Sequence, residues 1–298
     1  MSNYTFPTQE QFFEYREMLE VIKKRGTKAA ITDFSILLGG YVNDDYHIDG
    51  DRTLAGRTSF YWTRSDDGDN GVRVVGKDGN RWGYNDVNTR HGGARPALPF
   101  SSIDKIPTNG VSGKRATDGV LEVEYGFYPQ SAVSREMQQE LERQFNNGRL
   151  NRTGNGYTTD SRRYNAYDEK FEAKRHEEFE YRGKRYVRVE ANSDFGGGTF
   201  TLSNGEGYRD GYNVWVEVQP IKWLVSERDK LMLAEKLVFA GVQFKHERDY
   251  HTEDFGKTDI KKFIDDCWSK DIEQVRSKRK NYGNWYWTRT WRRANTKN

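Results

Sequence analysis

Two histidines in the last fifth of this 298-residue chain are its best candidates for chemistry. His246 and His251 lie in the segment KHERDYHTEDFGKTD, with Glu247, Asp249, Glu253 and Asp254 nearby in sequence. Imidazole and carboxylate groups are ligands for zinc or calcium. A separation of five residues does not place both imidazoles on one helical face. A metal site at His246 and His251 is therefore one interpretation, and a polar loop that caps a helix predicted to begin at Thr258 is the other.

The sequence carries no motif for nucleophilic or nucleotide chemistry. It contains no G-x-S-x-G, no phosphate-binding G-x-x-x-x-G-K-[ST] and no dinucleotide fingerprint after a strand. The glycines at 196–198 have no accompanying lysine and predict a turn. The single cysteine, Cys267, excludes an intramolecular disulfide and a thiolate zinc cluster. We predict a protein that is not an enzyme and has no cofactor, apart from the metal ion considered above.

Residues 59–102 combine structural signals with side chains suited to binding. Asp78-Gly79-Asn80 predicts a tight turn that pairs residues 72–77 with 81–85 as a hairpin. The residues after the turn form no apolar face of helical or strand period, yet they include aromatic rings and bidentate donors. This composition is typical of a recognition surface, and an irregular polar loop is the alternative. The predicted ligand-binding residues are Arg81, Trp82, Tyr84, Asn85, Asn88, Arg90 and His91.

The C-terminal segment 277–298 interleaves cations with aromatic rings. Cations can contact phosphates and rings can stack on bases, so this tail is the best nucleic-acid candidate in the chain. The competing interpretation is that its tryptophans pack into a neighbouring groove or dock on a protein. The residues of the nucleic-acid interpretation are Lys278, Arg279, Lys280, Trp285, Trp287, Arg289, Trp291 and Arg292.

The composition indicates a folded protein with a very polar surface. Hydrophobic residues make up 34% and charged residues 31%, and the mean hydropathy is −1.01, yet 14% of the residues are aromatic. Disordered chains are poor in aromatic residues, so the core must rely on rings. The formal net charge of +3 argues against an overall nucleic-acid footprint. No apolar run approaches a membrane span and no signal-peptide pattern is visible, so we expect a cytoplasmic protein.

The elements that must position these side chains are expected to form two units. Residues 1–106 begin with an amphipathic helix over 8–25, which starts at a Thr8/Gln11 capping box. The glycine-rich residues 107–119 predict a linker or seam between two cores, residues 120–276 a second α+β unit, and residues 277–298 the tail. The other predicted elements are a strand or short helix over 31–38, strands over 121–130, 177–181, 185–190 and 214–224, a strand or helix over 230–239, and helices over 134–147 and 258–268, the last extended through 271–278.

The order YWTRS, VRVV, DGNRW and GGARPALPF resembles the end of the C-type-lectin-like fold of the formylglycine-generating-enzyme (sulfatase-modifying-factor) group. It is also similar to the variable proteins of diversity-generating retroelements. YGFYPQ and PIKWLV in the second half resemble an uncharacterised bacterial and phage domain family related to that group. The resemblance implies an α+β, C-type-lectin-like mixed fold with short twisted antiparallel sheets and flanking helices.

The same resemblance implies a function as a display scaffold. The cysteine pair that formylglycine-generating activity needs is missing, because Cys267 is alone. The retroelement proteins instead vary exposed residues, which would correspond here to the seven predicted ligand-binding positions. We therefore expect a non-enzymatic protein that binds a protein or glycan, as a phage or mobile-element product that could be part of a phage particle. The alternative is a nucleic-acid-binding or anti-defence protein that uses the tail.

Overall fold

The computed structural model describes residues 2–42, 57–67, 71–162, 171–192, 200–246 and 252–274. The α-helices are α1 (Glu10–Phe13), α2 (Glu20–Arg25), α3 (Asp33–Leu37), α4 (Arg135–Asn146) and α5 (Asp259–Phe263), with 3-10 turns at Ile103–Lys105 and Thr252–Lys257. The strands are β1 (Tyr61–Asp66), β2 (Gly71–Val75), β3 (Arg81–Asp86), β4 (Ala97–Pro99), β5 (Lys114–Arg115), β6 (Leu121–Ala132), β7 (Asn151–Asp160), β8 (Ala173–Tyr181), β9 (Lys184–Glu190), β10 (Phe200–Thr201), β11 (Gly207–Tyr208), β12 (Asn213–Ser226) and β13 (Leu231–Ala234).

The strands β1, β2 and β3 form a small antiparallel sheet in that order. The predicted hairpin is confirmed, because β2 and β3 pair across the Asp78-Gly79-Asn80 turn. Gly79 has a φ of +82°, a backbone conformation that favours glycine. The Asp78 carboxylate accepts a hydrogen bond of 3.0 Å from the backbone N–H of Asn80. The turn residues therefore fix the register that the sequence indicates.

The main sheet has β12 at its centre. This strand pairs antiparallel with β6, with β9 and with β13, and the path of the sheet is β4-β13-β12-β9-β8-β7. The strands expected over 121–130, 177–181, 185–190 and 214–224 are all present within β6, β8, β9 and β12. Alternate residues of a strand face opposite sides of the sheet, so Val187 joins the main core while Tyr186 joins a smaller cluster beneath α4.

The expectation of two separate cores is wrong. The strand β4, from the first predicted unit, pairs with β13 of the second, with Ala97 opposite Leu233. The segment 107–119 is not a free linker, since it contains β5, whose Lys114 lies opposite Glu122 of β6. One cluster of buried apolar side chains runs from Tyr4 to Ile272. Long-range strand pairing, which local composition does not report, joins the two halves.

The helix expected over 8–25 is also corrected, because it is two short helices. The capping box is confirmed: the Thr8 N–H donates to Gln11 Oε1 at 2.9 Å, and the Gln11 N–H donates to Thr8 Oγ1 at 3.3 Å. The chain leaves α1 at Glu14, whose ψ of 120° is extended. The four residues from Glu14 to Glu17 are all exposed, so no tertiary packing stabilises helical backbone there.

The remaining predicted helices are present. Residues 31–38 contain α3, whose Thr32 side chain accepts a hydrogen bond from the Ser35 N–H. The helix α4 begins after Ser134, which caps it as expected, and buries Leu141. The helix α5 continues as a π-helical turn, Ile264–Trp268, and then as α-helix over residues 269–274. Helices and antiparallel sheets share the chain, which therefore has an α+β fold.

A bulge in β7 encloses a buried carboxylate, Glu178 of β8. The register of the two strands shifts between Arg152 and Gly156. One carboxylate oxygen of Glu178 accepts from Thr153 Oγ1 at 2.8 Å and from Asn155 Nδ2 at 3.1 Å, and the other accepts from the Tyr157 hydroxyl at 2.6 Å. A buried charge is tolerated only when such donors surround it.

We expect Glu178→Ala to lower the free energy of unfolding by about 3–5 kcal/mol, because the change leaves buried donors without an acceptor. Glu178→Gln keeps the shape and should cost less. The control is Glu177→Ala on the same strand, which removes only an exposed ion pair with Arg152 and should change stability by less than about 0.5 kcal/mol. Urea unfolding measures all three, and equal losses for Glu177→Ala and Glu178→Ala would contradict the role of the bulge.

Candidate functional site

The hairpin places two of the predicted ligand-binding residues at the surface, at the start of β3. Arg81 is exposed and forms an ion pair with Glu14, and its guanidinium lies 5.6 Å from the centre of the Phe13 ring. Trp82 keeps 37% of its surface open to solvent. Together with Gly83, Asn85 and Asp86 these residues form the exposed edge strand that we call the Trp82 face. Trp82 and Asn85 lie on one side of the small sheet, and Arg81 and Asp86 lie on the other. No described strand pairs with β3 on the side away from β2.

The Trp82 ring is held in one orientation by its neighbours. It stacks on Phe60, with 6.4 Å between ring centres and 17° between planes. It also covers Gly76, where an added Cβ would lie 2.3 Å from the Trp82 Nε1. On the backbone side, the Gln9 amide donates to the carbonyls of Val74 at 2.9 Å and Trp82 at 2.7 Å. These contacts therefore hold the ring in this orientation.

Phe60 is buried at the centre of an aromatic cluster beneath Trp82. The rings of Tyr41, Trp62 and His91 all lie within about 6 Å of it. At the rim, Lys77 Nζ lies 3.2 Å from the Tyr41 hydroxyl. Sequence reasoning missed Phe60, Tyr41 and Lys77 as parts of this site. The FYW triplet at 60–62 was the available signal, because alternate residues of a strand end must share a face.

Asn85 and Tyr84 complete the predicted residues on β3. Asn85 is partly buried, and its Oδ1 accepts a hydrogen bond of 3.0 Å from the Asp86 N–H. Its amide is therefore engaged in local structure at the end of the strand. The backbone of Tyr84 belongs to β3, whereas its side chain lies outside what the structure describes.

The expected exposure of Asn88 and Arg90 is wrong, because only 3% and 2% of their surfaces are accessible. Arg90 Nε and Nη2 donate to the carbonyl of Gly241 at 3.0 and 2.9 Å, and Nη1 donates to the carbonyl of Arg162 at 2.6 Å. Arg90 Nη2 also lies 3.5 Å from the buried carboxylate of Asp160. The guanidinium is buried because its hydrogen-bond acceptors are backbone carbonyls from distant parts of the chain. Arg90 is therefore a structural residue.

His91 is only partly buried, unlike Asn88 and Arg90. Its ring meets Phe60 edge to face at 6.0 Å, and burial lowers its pKa to about 4. The imidazole is therefore neutral at pH 7, and it contributes to the support of Trp82 more than to an exposed contact surface. The recognition surface predicted from the sequence narrows to Arg81, Trp82 and their neighbours on β3.

The metal-site prediction falls partly outside the described residues, because His251 does. His246 Nδ1 lies 2.6 Å from Asp259 Oδ2, and the same oxygen accepts from the His246 N–H at 2.7 Å. This contact joins His246 to the first turn of α5. Within the described part of the chain, no group of three or more His, Cys, Asp and Glu side chains could hold a metal ion. A metal at His246 and His251 stays a prediction.

The basic aromatic tail also stays a prediction, since residues 275–298 lie outside the described part of the chain.

Among the helices that are described, none is long and apolar enough to cross a membrane. No family model, no curated protein and no solved structure matches the chain.

Two buried histidines predict the response of stability to acid. Burial lowers the pKa of both His91 and His176 from 6.5 to about 4. Between these values the unfolded chain binds more protons than the folded protein, so the free energy of unfolding must fall as pH falls from 6.5 towards 4. Each histidine contributes about 1.4 kcal/mol per pH unit within that window.

The measurement is urea unfolding of the wild type and of His91→Gln at several pH values between 7 and 4. Removing the imidazole should make the fall in stability shallower by the contribution of one histidine. Parallel curves for the two proteins across this window would show that His91 titrates in the folded state as it does in the unfolded one.

Proposed function

We propose that this protein is a non-enzymatic ligand-binding protein whose recognition surface is the Trp82 face. The observation that carries the proposal is the Trp82 ring itself, which Phe60 and Gly76 hold firmly while 37% of it stays exposed. Large exposed apolar side chains fixed in one orientation lose little entropy on binding. Tryptophan and arginine are also the residues that most often dominate binding energy at interfaces.

The chemistry of the face suits a protein or glycan ligand. Trp82 offers an apolar ring, Arg81 a planar donor, and Asp86 an exposed carboxylate at the far end of β3. Aromatic rings and arginine are enriched at protein interfaces, and polar groups accompany them there. One positive and one negative group give the face no strong net charge, which disfavours a nucleic-acid ligand at this place.

The resemblance to retroelement variable proteins supports a display function. In such proteins the frame is constant and exposed residues change. The frame here would be Phe60, Trp62, Gly76 and Gly92, since a Cβ on Gly92 would lie 2.1 Å from the Trp62 ring. The display positions would be those of the Trp82 face together with Tyr84. This would make the protein a phage or mobile-element product, acting in the cytoplasm or on a phage particle.

We expect Trp82→Ala to weaken ligand binding strongly while the protein stays folded. The fluorescently labelled protein is applied to a glycan array and to a protein array, beside Trp82→Ala, Arg81→Ala and the control Tyr212→Ala. Tyr212 is matched because it is a large aromatic residue with 54% of its surface exposed. Signals of the wild type should fall at least about tenfold for Trp82→Ala and persist for Tyr212→Ala. Signals that survive Trp82→Ala would contradict the proposal.

The tail supports the alternative function, nucleic-acid binding, through its six cations interleaved with rings between Lys278 and Arg293. Deleting residues 278–298 separates the two functions. Binding to single-stranded DNA or RNA that weakens steeply with salt and disappears with the deletion would support the alternative. Array signals that survive the deletion and are lost in Trp82→Ala would support the Trp82 face.

A further inference from the structure

A groove lies where α1 and the segment between α1 and α2 meet the turn between β12 and β13. It encloses about 850 Å³, its open mouth included. Its lining is polar and comes from both halves of the chain: Thr8, Gln11, Arg16, Glu17, Arg64, Arg228 and Asp229. Ligand sites are concave, and a few well-placed polar groups give them their specificity. The groove is therefore a candidate site outside the Trp82 face.

Hydrogen bonds between distant segments tie the two walls of the groove together. Arg228 Nη2 donates to the carbonyl of Met18 at 2.5 Å, and the Glu20 N–H donates to Asp229 Oδ2 at 2.8 Å. The capping box at the start of α1 fixes the backbone of the remaining wall. The shape of the groove therefore depends on bonds within the protein.

Positive charge outweighs negative charge in the lining, which holds three guanidiniums and two carboxylates. The Asp229 carboxylate is already engaged, since it accepts from the Ser226 hydroxyl and from Arg228 Nε, the latter at 2.8 Å, in addition to the backbone N–H named above. The other carboxylate of the lining is that of Glu17, which is exposed. An anion would therefore meet more attraction than repulsion in the groove.

Several donors of the lining are available to a ligand. Arg16 is exposed, and within the described ranges its guanidinium has no hydrogen bond or ion pair. Arg228 uses Nε and Nη2 as described, which leaves Nη1 on a side chain that is 47% exposed. Gln11 Oε1 accepts from the Thr8 N–H, so the amino end of its amide remains. Arg64 has an interaction of its own and adds positive charge.

We propose that this groove binds a small polyanion, a molecule that carries two or more phosphate or carboxylate groups. A guanidinium matches both groups, because its planar fork of N–H donors can bind two oxygens at once. Arg16, Arg64 and Arg228 come from three separate segments of the chain, so a ligand with several anionic groups can meet more than one of them. The site is independent of the Trp82 face, because it shares no residue with it.

Calorimetric titration tests the site with inorganic pyrophosphate in one arm and citrate in the other, at neutral pH and at constant ionic strength set with chloride. Arg16→Met removes the available guanidinium, and Glu17→Gln removes the competing carboxylate. The matched controls outside the groove are Arg149→Met and Glu124→Gln. All four residues are exposed, so the variants should fold as the wild type does. Arg228 is left unchanged, since it ties the walls together.

We expect saturable binding of at least one anion by the wild type, weakened at least about tenfold in Arg16→Met and unchanged in Arg149→Met. Glu17→Gln should bind the same anion more tightly than Glu124→Gln does, because only Glu17 lies beside the ligand. The arm with the tighter binding identifies phosphate or carboxylate as the preferred group.

Three results would overturn the proposal. The first is no saturable binding of either anion by the wild type up to about 10 mM. The second is an equal loss for Arg16→Met and Arg149→Met, which would mean non-specific attraction to surface charge. The third is equal affinity in Glu17→Gln and Glu124→Gln, which would place the anion away from the groove.

Discussion

Two buried arginines on either side of Gly92 and Gly93 tie the two halves of this molecule together. Arg90 donates to the carbonyls of Gly241 and Arg162, and Arg95 donates to the carbonyl of Ala234 at 2.9 Å and to the hydroxyl of Tyr61 at 3.2 Å. Both guanidiniums are almost completely buried. A buried cation is stable only while its acceptors stay in place, so each arginine fixes the first half of the chain against the second, and Arg95 joins β1 to β13.

This constraint explains why exposed and buried side chains are separated along one short stretch of sequence. Beyond β3 the chain turns inward through Asn88 and Arg90, and Trp62 fills the space that Gly92 leaves. At the other end of the hairpin, Arg81 and Trp82 project from a strand whose partner, β2, is buried on both faces. The frame therefore does not depend on the exposed side chains of the Trp82 face, which leaves them available for binding.

Local signals in the sequence predicted local structure well. The Asp-Gly-Asn turn, the Ser134 cap and the alternating strands were all visible, because each depends on residues close together in the chain. The burial of Arg90 was not visible, because its acceptors lie 151 and 72 residues away. For the same reason the sequence predicted a boundary between two cores at residues 107–119, although β4 and β5 join the main sheet across that boundary. The sequence identified two exposed residues of the Trp82 face, Arg81 and Trp82. It did not identify Phe60, on which the Trp82 ring stacks.

The free energy of unfolding of Arg90→Met, compared with that of Arg81→Met, tests this account most directly. Both changes remove one guanidinium from the same stretch of chain and keep an apolar side chain. We expect a loss of about 3 kcal/mol or more for Arg90→Met, because buried carbonyls lose their donor, and less than about 1 kcal/mol for the exposed Arg81→Met. Losses within about 1 kcal/mol of each other would contradict the division between a structural Arg90 and a displayed Arg81.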